Sequence, residues 1–256
     1  MPPSPPITSR GNPLIRKLAA LTDARGIRKH GVYLAGGARL VREALQNHAD
    51  LVAALITAEN ETGLPPPGDV PRHVLAPALF KAVNVFGTPG PLLLMRVPVL
   101  PAFDPHAPWP AGCTLFVPFS DPENVGGVIR SAAALGAARV VLTSEAACPF
   151  LPRALRAAAG TIWRMPLLQA GALADLTWPA DRRVLILDAG GRPLDELPPP
   201  RGAYGLLAGQ EGPGLPEKLR GRADGVAIPM QRGVESLNAA TAVAITLWAW
   251  RGGLAP

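Results

Sequence analysis

The sequence predicts an α/β protein in which a small mixed α/β domain precedes a larger domain built on a mostly parallel sheet. Three observations predict it. From residue 113 onward, apolar runs of strand length alternate with amphipathic runs of helix length, the pattern of a parallel sheet covered on both faces. Residues 12–100 mix the two kinds of run without that regularity. Between them lie Pro98, Pro101, Pro105, Pro108 and Pro110, the composition of a stiff, extended connection. The expected divisions are a Pro-rich tail over 1–11, a first domain over 12–100, a linker over 101–112 and a second domain over 113–256.

In the first domain, Leu14, Ile15, Leu18 and Leu21 recur at helical spacing after Asn12. Residues 32–34 read as a strand, Gly36-Gly37 breaks it, and 38–46 reads as a helix with Leu40, Val41, Ala44 and Leu45 on one face. A strand over 51–57, a turn at Pro65-Pro66-Pro67-Gly68, a helix over 76–83 and a strand over 91–97 complete it. In the second domain, strands are expected at 114–118, 139–143, 161–167, 183–188, 204–209 and 225–230. Helices are expected at 125–135, 150–159, 216–220 and 237–250, the last burying Ala240, Ala244, Leu247 and Trp248.

Composition narrows the class. A chain of 256 residues that is 48% hydrophobic can bury a sizeable core. Its formal charge of +6 is carried almost wholly by arginine, which binds phosphate as a bidentate fork, so an anionic partner such as nucleic acid is favoured. Genome composition alone would give the same arginine excess. Cys113 and Cys148 cannot build a disulfide framework and sit in no CxxC, as in a reducing, cytoplasmic setting. The opening residues lack the apolar core of a signal peptide, and no apolar run approaches the roughly 20 residues of a membrane span. No membrane partner and no metal are expected, since His30, His48, His73 and His106 share no ligand spacing with either cysteine.

Three segments of the second domain depart from ordinary core. The first runs from Asp121 to Ser131, follows a strand and opens a helix. Asp121 or Asn124 can cap it, and Pro122 is tolerated near its start. Gly126 and Gly127 cost helix stability in the first turn, which suggests close approach of a ligand or another backbone, with Arg130 on the same face. In the second segment a strand ends at Leu207-Ala208-Gly209, and Gln210-Glu211-Gly212-Pro213-Gly214 forms a tight loop able to present backbone groups to a ligand. It carries neither the glycine spacing of a dinucleotide fingerprint nor the Gly-Lys-Ser/Thr of a P-loop. In the third, a strand ends at Ile228-Pro229-Met230 and a helix starts near Ser236, a good N-cap. Asn238 in its first turn has low helix propensity and calls for capping or a site.

Together and in this order, these segments resemble the signature motifs of the SpoU (TrmH-like) family of AdoMet-dependent RNA ribose 2′-O-methyltransferases in the SPOUT superfamily. The match runs over Asn124 to Arg130, then Gly209-Gln210-Glu211-Gly212-Pro213-Gly214-Leu215, then Ile228-Pro229-Met230 with Ser236-Leu237-Asn238. Residues 31–45 and Thr88-Pro89-Gly90 resemble, more loosely, the L30e-like RNA-binding domain that often precedes this catalytic domain, although Gly36-Gly37 stands where the family has Glu-Gly. The resemblance implies a C-terminal trefoil knot, a homodimer, and S-adenosyl-L-methionine held by Leu207, Ala208, Gly209, Gly214, Ile228, Met230, Ser236 and Leu237. It implies a catalytic set of Arg130, Asn124, Ser236, Asn238 and Glu211, acting on structured RNA, with ribosomal favoured over transfer RNA. The alternatives are a tRNA methyltransferase, an inactive RNA-binding relative, and a nucleotide-dependent enzyme of ordinary doubly wound fold.

Overall fold

A computed structural model describes residues 5–60, 70–210 and 212–251. The expected turn at 65–68 and the site candidate Glu211 lie outside the described residues. The chain forms two compact units: residues 1–99 with 148–160, and residues 100–147 with 161–256.

The first unit opens with α1 (Pro13–Ala20), started by the Asn12 side chain, which accepts from the Leu14 N–H, and by proline at its first position. A second helix, α2 (Ala24–His30), was not foreseen. It buries only Gly26 and Ile27, too few for a periodic pattern, and it forms because Asp23 caps it and Gly31 ends it at φ 63°. The unit continues through β1 (Val32–Gly36), α3 (Ala38–Asn47), β2 (Val52–Ala58), β3 (Arg72–Leu75), α4 (Pro77–Val83) and β4 (Leu92–Arg96). Its mixed sheet has the order β1-β4-β2-β3, with only β2 and β3 parallel.

The second unit begins with the segment expected as a linker. The correction has a clear cause: Phe103 and Trp109 pack on Phe116, with ring centroids 5.2 and 5.9 Å from it, and Phe103 N–H donates to the Gln169 carbonyl at 2.8 Å. The prolines hold this stretch extended while its aromatics cover one sheet face. Then come β5 (Gly112–Val117), α5 (Pro122–Ala134) and β6 (Arg139–Leu142). The chain returns to the first unit for α6 (Pro152–Ala158), where Tyr33 and Phe150 meet at 4.9 Å, and re-enters the second for β7 (Leu167–Gln169), β8 (Val184–Pro193), β9 (Ala203–Leu207), α7 (Glu217–Arg220), β10 (Asp224–Ala227) and α8 (Ala239–Trp250).

The six strands lie in the order β10-β8-β9-β5-β6-β7, and every pair is parallel, as the alternating pattern predicts. The expected strand over 161–167 is absent: Thr161 closes a tight turn by accepting from Arg164 and Met165, and the ladder with β6 starts only at Leu167. One sheet face buries Phe116, Val141, Ile186 and Leu207 against Trp109, Trp178 and Leu219. Elsewhere α5 and α8 pack on each other. On α8, Leu247 and Trp250 are buried and Ala240 and Ala244 half-buried, but Trp248, expected in the core, is 57% exposed. Two tryptophans two positions apart cannot face the same side of a helix, and Trp250 takes the inner place, edge-on to Tyr204.

Candidate active site

The motif segments occupy the carboxyl ends of parallel strands, the place where open α/β sheets hold ligands. β9 ends at Leu207, and the backbone bends through Ala208 and Gly209 into a loop closed by paired hydrogen bonds between Gln210 and Gly214, at 2.9 and 3.0 Å. The bend requires glycine twice. A Cβ on Gly209 would stand 2.9 Å from the Gly214 carbonyl carbon, and Gly214 adopts φ +72°.

This loop, the middle of β8 and the segment after β10 line a cavity of about 220 Å³. Of the predicted cofactor residues, Ala208, Gly209, Ile228, Met230, Ser236 and Leu237 line it. Leu207 does not, being fully buried in the sheet core, and Gly214 does not, acting instead as the second leg of the loop. The lining also includes Asp188, Gln210 and Glu235, which the motif comparison did not single out. For Asp188 a signal was present: it ends a predicted strand of a parallel sheet. Among the described residues the lining holds two carboxylates, Asp188 and Glu235, and no Lys, Arg or His. A larger cavity of about 620 Å³ lies beyond Asp188 and is lined by Arg183, Arg192 and Arg220 with Asp188 and Asp224. The smaller one is the site candidate, because the motif residues converge on it.

The helix starts carry the catalytic candidates. Asp121 caps α5 by accepting from Glu123 N–H at 2.7 Å. The cap of α8 is Asn238 and not Ser236: its Oδ1 accepts from Thr241 N–H at 3.1 Å, while Ser236 stays in the exposed loop. Asn238 Nδ2 also donates to Asn124 Oδ1 at 2.9 Å, which ties two residues 114 apart in sequence into one feature. Its low helix propensity is thus answered by a cap and a site contact together. Arg130 lies outside the cavity lining, exposed on α5, and forms no ion pair with any described residue. It shares a face of α5 with the half-buried Gly127, where a Cβ would meet nothing within 4 Å; Gly126, expected on the same face, is buried. Gly127 therefore serves no packing need among the described residues.

Other chemistries find no support in the geometry. Burial pushes the Cys113 thiol up to about 12, despite hydrogen bonds to Tyr204 and Leu206, and burial also raises Cys148, so neither is an activated nucleophile. Among the described residues no group of three or more His, Cys, Asp or Glu could hold a metal ion. Among the described residues no helix is long and apolar enough to cross a membrane.

Comparison with known proteins places this geometry. Residues 114–248 match the model of the SpoU rRNA methylase family. A ribosomal RNA small subunit methyltransferase G 2 of Syntrophobacter fumaroxidans is 47% identical over 248 residues, which is 95% of this chain and 48% of that protein. The chain thus spans about half the length of the curated relatives it matches. Among solved structures, an AdoMet-bound rRNA methyltransferase from Sinorhizobium meliloti superimposes with a TM-score of 0.82 at 24% identity, covering 98% of this chain and 99% of its own. An RNA 2′-O ribose methyltransferase superimposes with a TM-score of 0.75 at 25% identity, covering 96% and 97%.

Proposed function

This chain belongs to the SpoU rRNA methylase family, and on that premise we propose that it transfers a methyl group from S-adenosyl-L-methionine to a ribose 2′-hydroxyl of structured RNA, with ribosomal RNA favoured. The observation that carries the reading is the 220 Å³ cavity, on which two of the three motif segments converge, while the Asn124–Asn238 link ties the first segment to the third. The residues fit the cofactor. Ile228, Met230 and Leu237 offer apolar walls to a base, the Ala208–Gly209 bend offers backbone groups, and Asp188 and Glu235 suit a ligand that is cationic and carries no phosphate. When bound, the sulfonium supplies an activated methyl group, so the protein's remaining task lies with the hydroxyl.

That hydroxyl is a poor nucleophile until its proton leaves, and the task is to place it and stabilise the growing charge on oxygen. Arg130 is the candidate donor. Its side chain is exposed, and a guanidinium is a fork of donors with no acceptor, so it binds the 2′-oxygen and the adjacent phosphate rather than removing the proton, which leaves through phosphate or water. Asn124 and Asn238, locked together at the two helix starts, and Ser236 in the neighbouring loop hold the ribose; Glu211 completes the set that the family resemblance implies. The first unit is read as an L30e-like RNA-binding module, supported by the net charge of +6. A homodimer is supported by apolar side chains left in solvent, with Ile245 at 37% and Trp248 at 57% on α8. A trefoil knot in the C-terminal half and a cytoplasmic location belong to the same reading.

The experiment is transfer of tritiated methyl from AdoMet to purified ribosomal and transfer RNA. Incorporation into ribosomal RNA, lost in Arg130→Ala, is the expected result. AdoMet binding without transfer to either RNA would instead identify an inactive relative.

A further inference from the structure

The wall of the cavity contributed by β8 is an irregularity of the ladder. β8 pairs with β10 up to Ile186↔Gly225 and resumes at Arg192↔Val226, so residues 187–191 of β8 bulge out of that ladder while β10 loses none. Gly191 allows the return, because a Cβ there would stand 2.3 Å from the Gly225 carbonyl carbon. Inside this excursion the Asp188 carboxylate is held from two sides. Oδ1 accepts from Gly190 N–H at 2.9 Å, and Oδ2 lies 3.3 Å from Arg220 Nε. Arg220 ends α7, the helix that follows the 209–215 loop, and its Nη2 is 3.7 Å from where a Gly214 Cβ would be. One guanidinium thus pairs with the β8 bulge and lies near the 209–215 loop, the two segments that wall the cavity.

An isolated surface ion pair of this kind contributes little to stability. Its geometry matters more. The Asp188 side chain is 23% exposed and borders both cavities, with Arg220 on the side of the larger one. A carboxylate has about four acceptor positions, and the two internal donors leave the others for a ligand. Apart from Glu235, whose residue is exposed, it is the only formal charge among the described lining residues.

We propose that Asp188 is a cofactor-recognition residue, which accepts a hydrogen bond from a donor group of S-adenosyl-L-methionine, and that Arg220 is the positioning residue that aims it. This rests on the cofactor assignment made above. The test is calorimetric titration of AdoMet into the full chain, wild type against Asp188→Asn, Arg220→Gln and Arg220→Lys, with thermal melts of each protein without ligand. Asp188→Asn weakens binding on the order of tenfold, the size of a hydrogen bond to a charged group. Arg220→Gln weakens it by about threefold or more, and Arg220→Lys, which keeps the charge, restores most of the loss. Melts that stay together place the effect in the cavity. If Asp188→Asn melts early, the two Arg220 variants decide alone: affinity that follows the charge supports the proposal, and equal affinity in both overturns it. Unchanged affinity in Asp188→Asn, with the wild type binding, overturns this assignment only. Absence of AdoMet binding by the wild type overturns the cofactor reading and this assignment with it.

Discussion

The two cavities that meet at Asp188 differ in charge: arginines line one and are missing from the described lining of the other. The larger is lined by three arginines and two aspartates, with Arg183 near Asp224 and Arg220 near Asp188. The smaller has carboxylates, backbone bends and apolar side chains, and no cation among the described residues. The difference teaches that a cofactor site need not resemble the glycine-and-lysine phosphate cradles that motif reading looks for. In a chain of net charge +6, a pocket whose charged side chains among the described residues are both acids points to a ligand that carries positive charge.

The comparison can be broken at the shared wall. Gly191→Val forces a Cβ against the Gly225 backbone and should cost about 3 kcal/mol or more, read as an early thermal melt, with cofactor binding lost. Gly190→Ala, whose Cβ would meet only Asp188 Oδ1 at 3.5 Å, should change stability by less than about 0.5 kcal/mol. Next in size, Arg130→Ala should lower turnover by about a hundredfold while AdoMet affinity holds, because the side chain is outside the cavity lining. Asn238→Asp keeps the acceptor for Thr241 N–H but loses the donor to Asn124. Its turnover should fall by about tenfold at nearly unchanged stability, whereas Asn238→Ala should also lose about 1 kcal/mol from the missing cap. The smallest expected effect is that of Arg192→Ala. It empties the larger cavity of one charge and should leave the AdoMet dissociation constant within about twofold. A strong loss there would move the cofactor to the other side of Asp188.

Much of the fold was legible because apolar periodicity is set by burial. The parallel strands and the helices over 122–134 and 239–250 follow from runs such as Leu115-Phe116-Val117 and Val125-Gly126-Gly127-Val128-Ile129. What periodicity missed has local causes. Arg72-His73-Val74-Leu75 is an edge strand whose polar half hides the pattern, and α2 is made by its caps. Thr161-Ile162-Trp163 has strand composition but meets the sheet too late. At the site, six of the eight cofactor candidates line the cavity, because motif spacing records where strands end. Asp188 escaped notice because its one signal, the end of a predicted strand, is shared by many residues. Its meaning comes from Arg220, 32 positions away, and from a ladder irregularity that only the pairing of β8 with β10 reveals.

The most direct measurement is alkaline hydrolysis of ribosomal RNA methylated by the purified chain with labelled AdoMet. A methylated 2′-oxygen cannot attack its own phosphate, so the account predicts label in alkali-resistant dinucleotides. Label released as mononucleotides would place the methyl group on a base and contradict it.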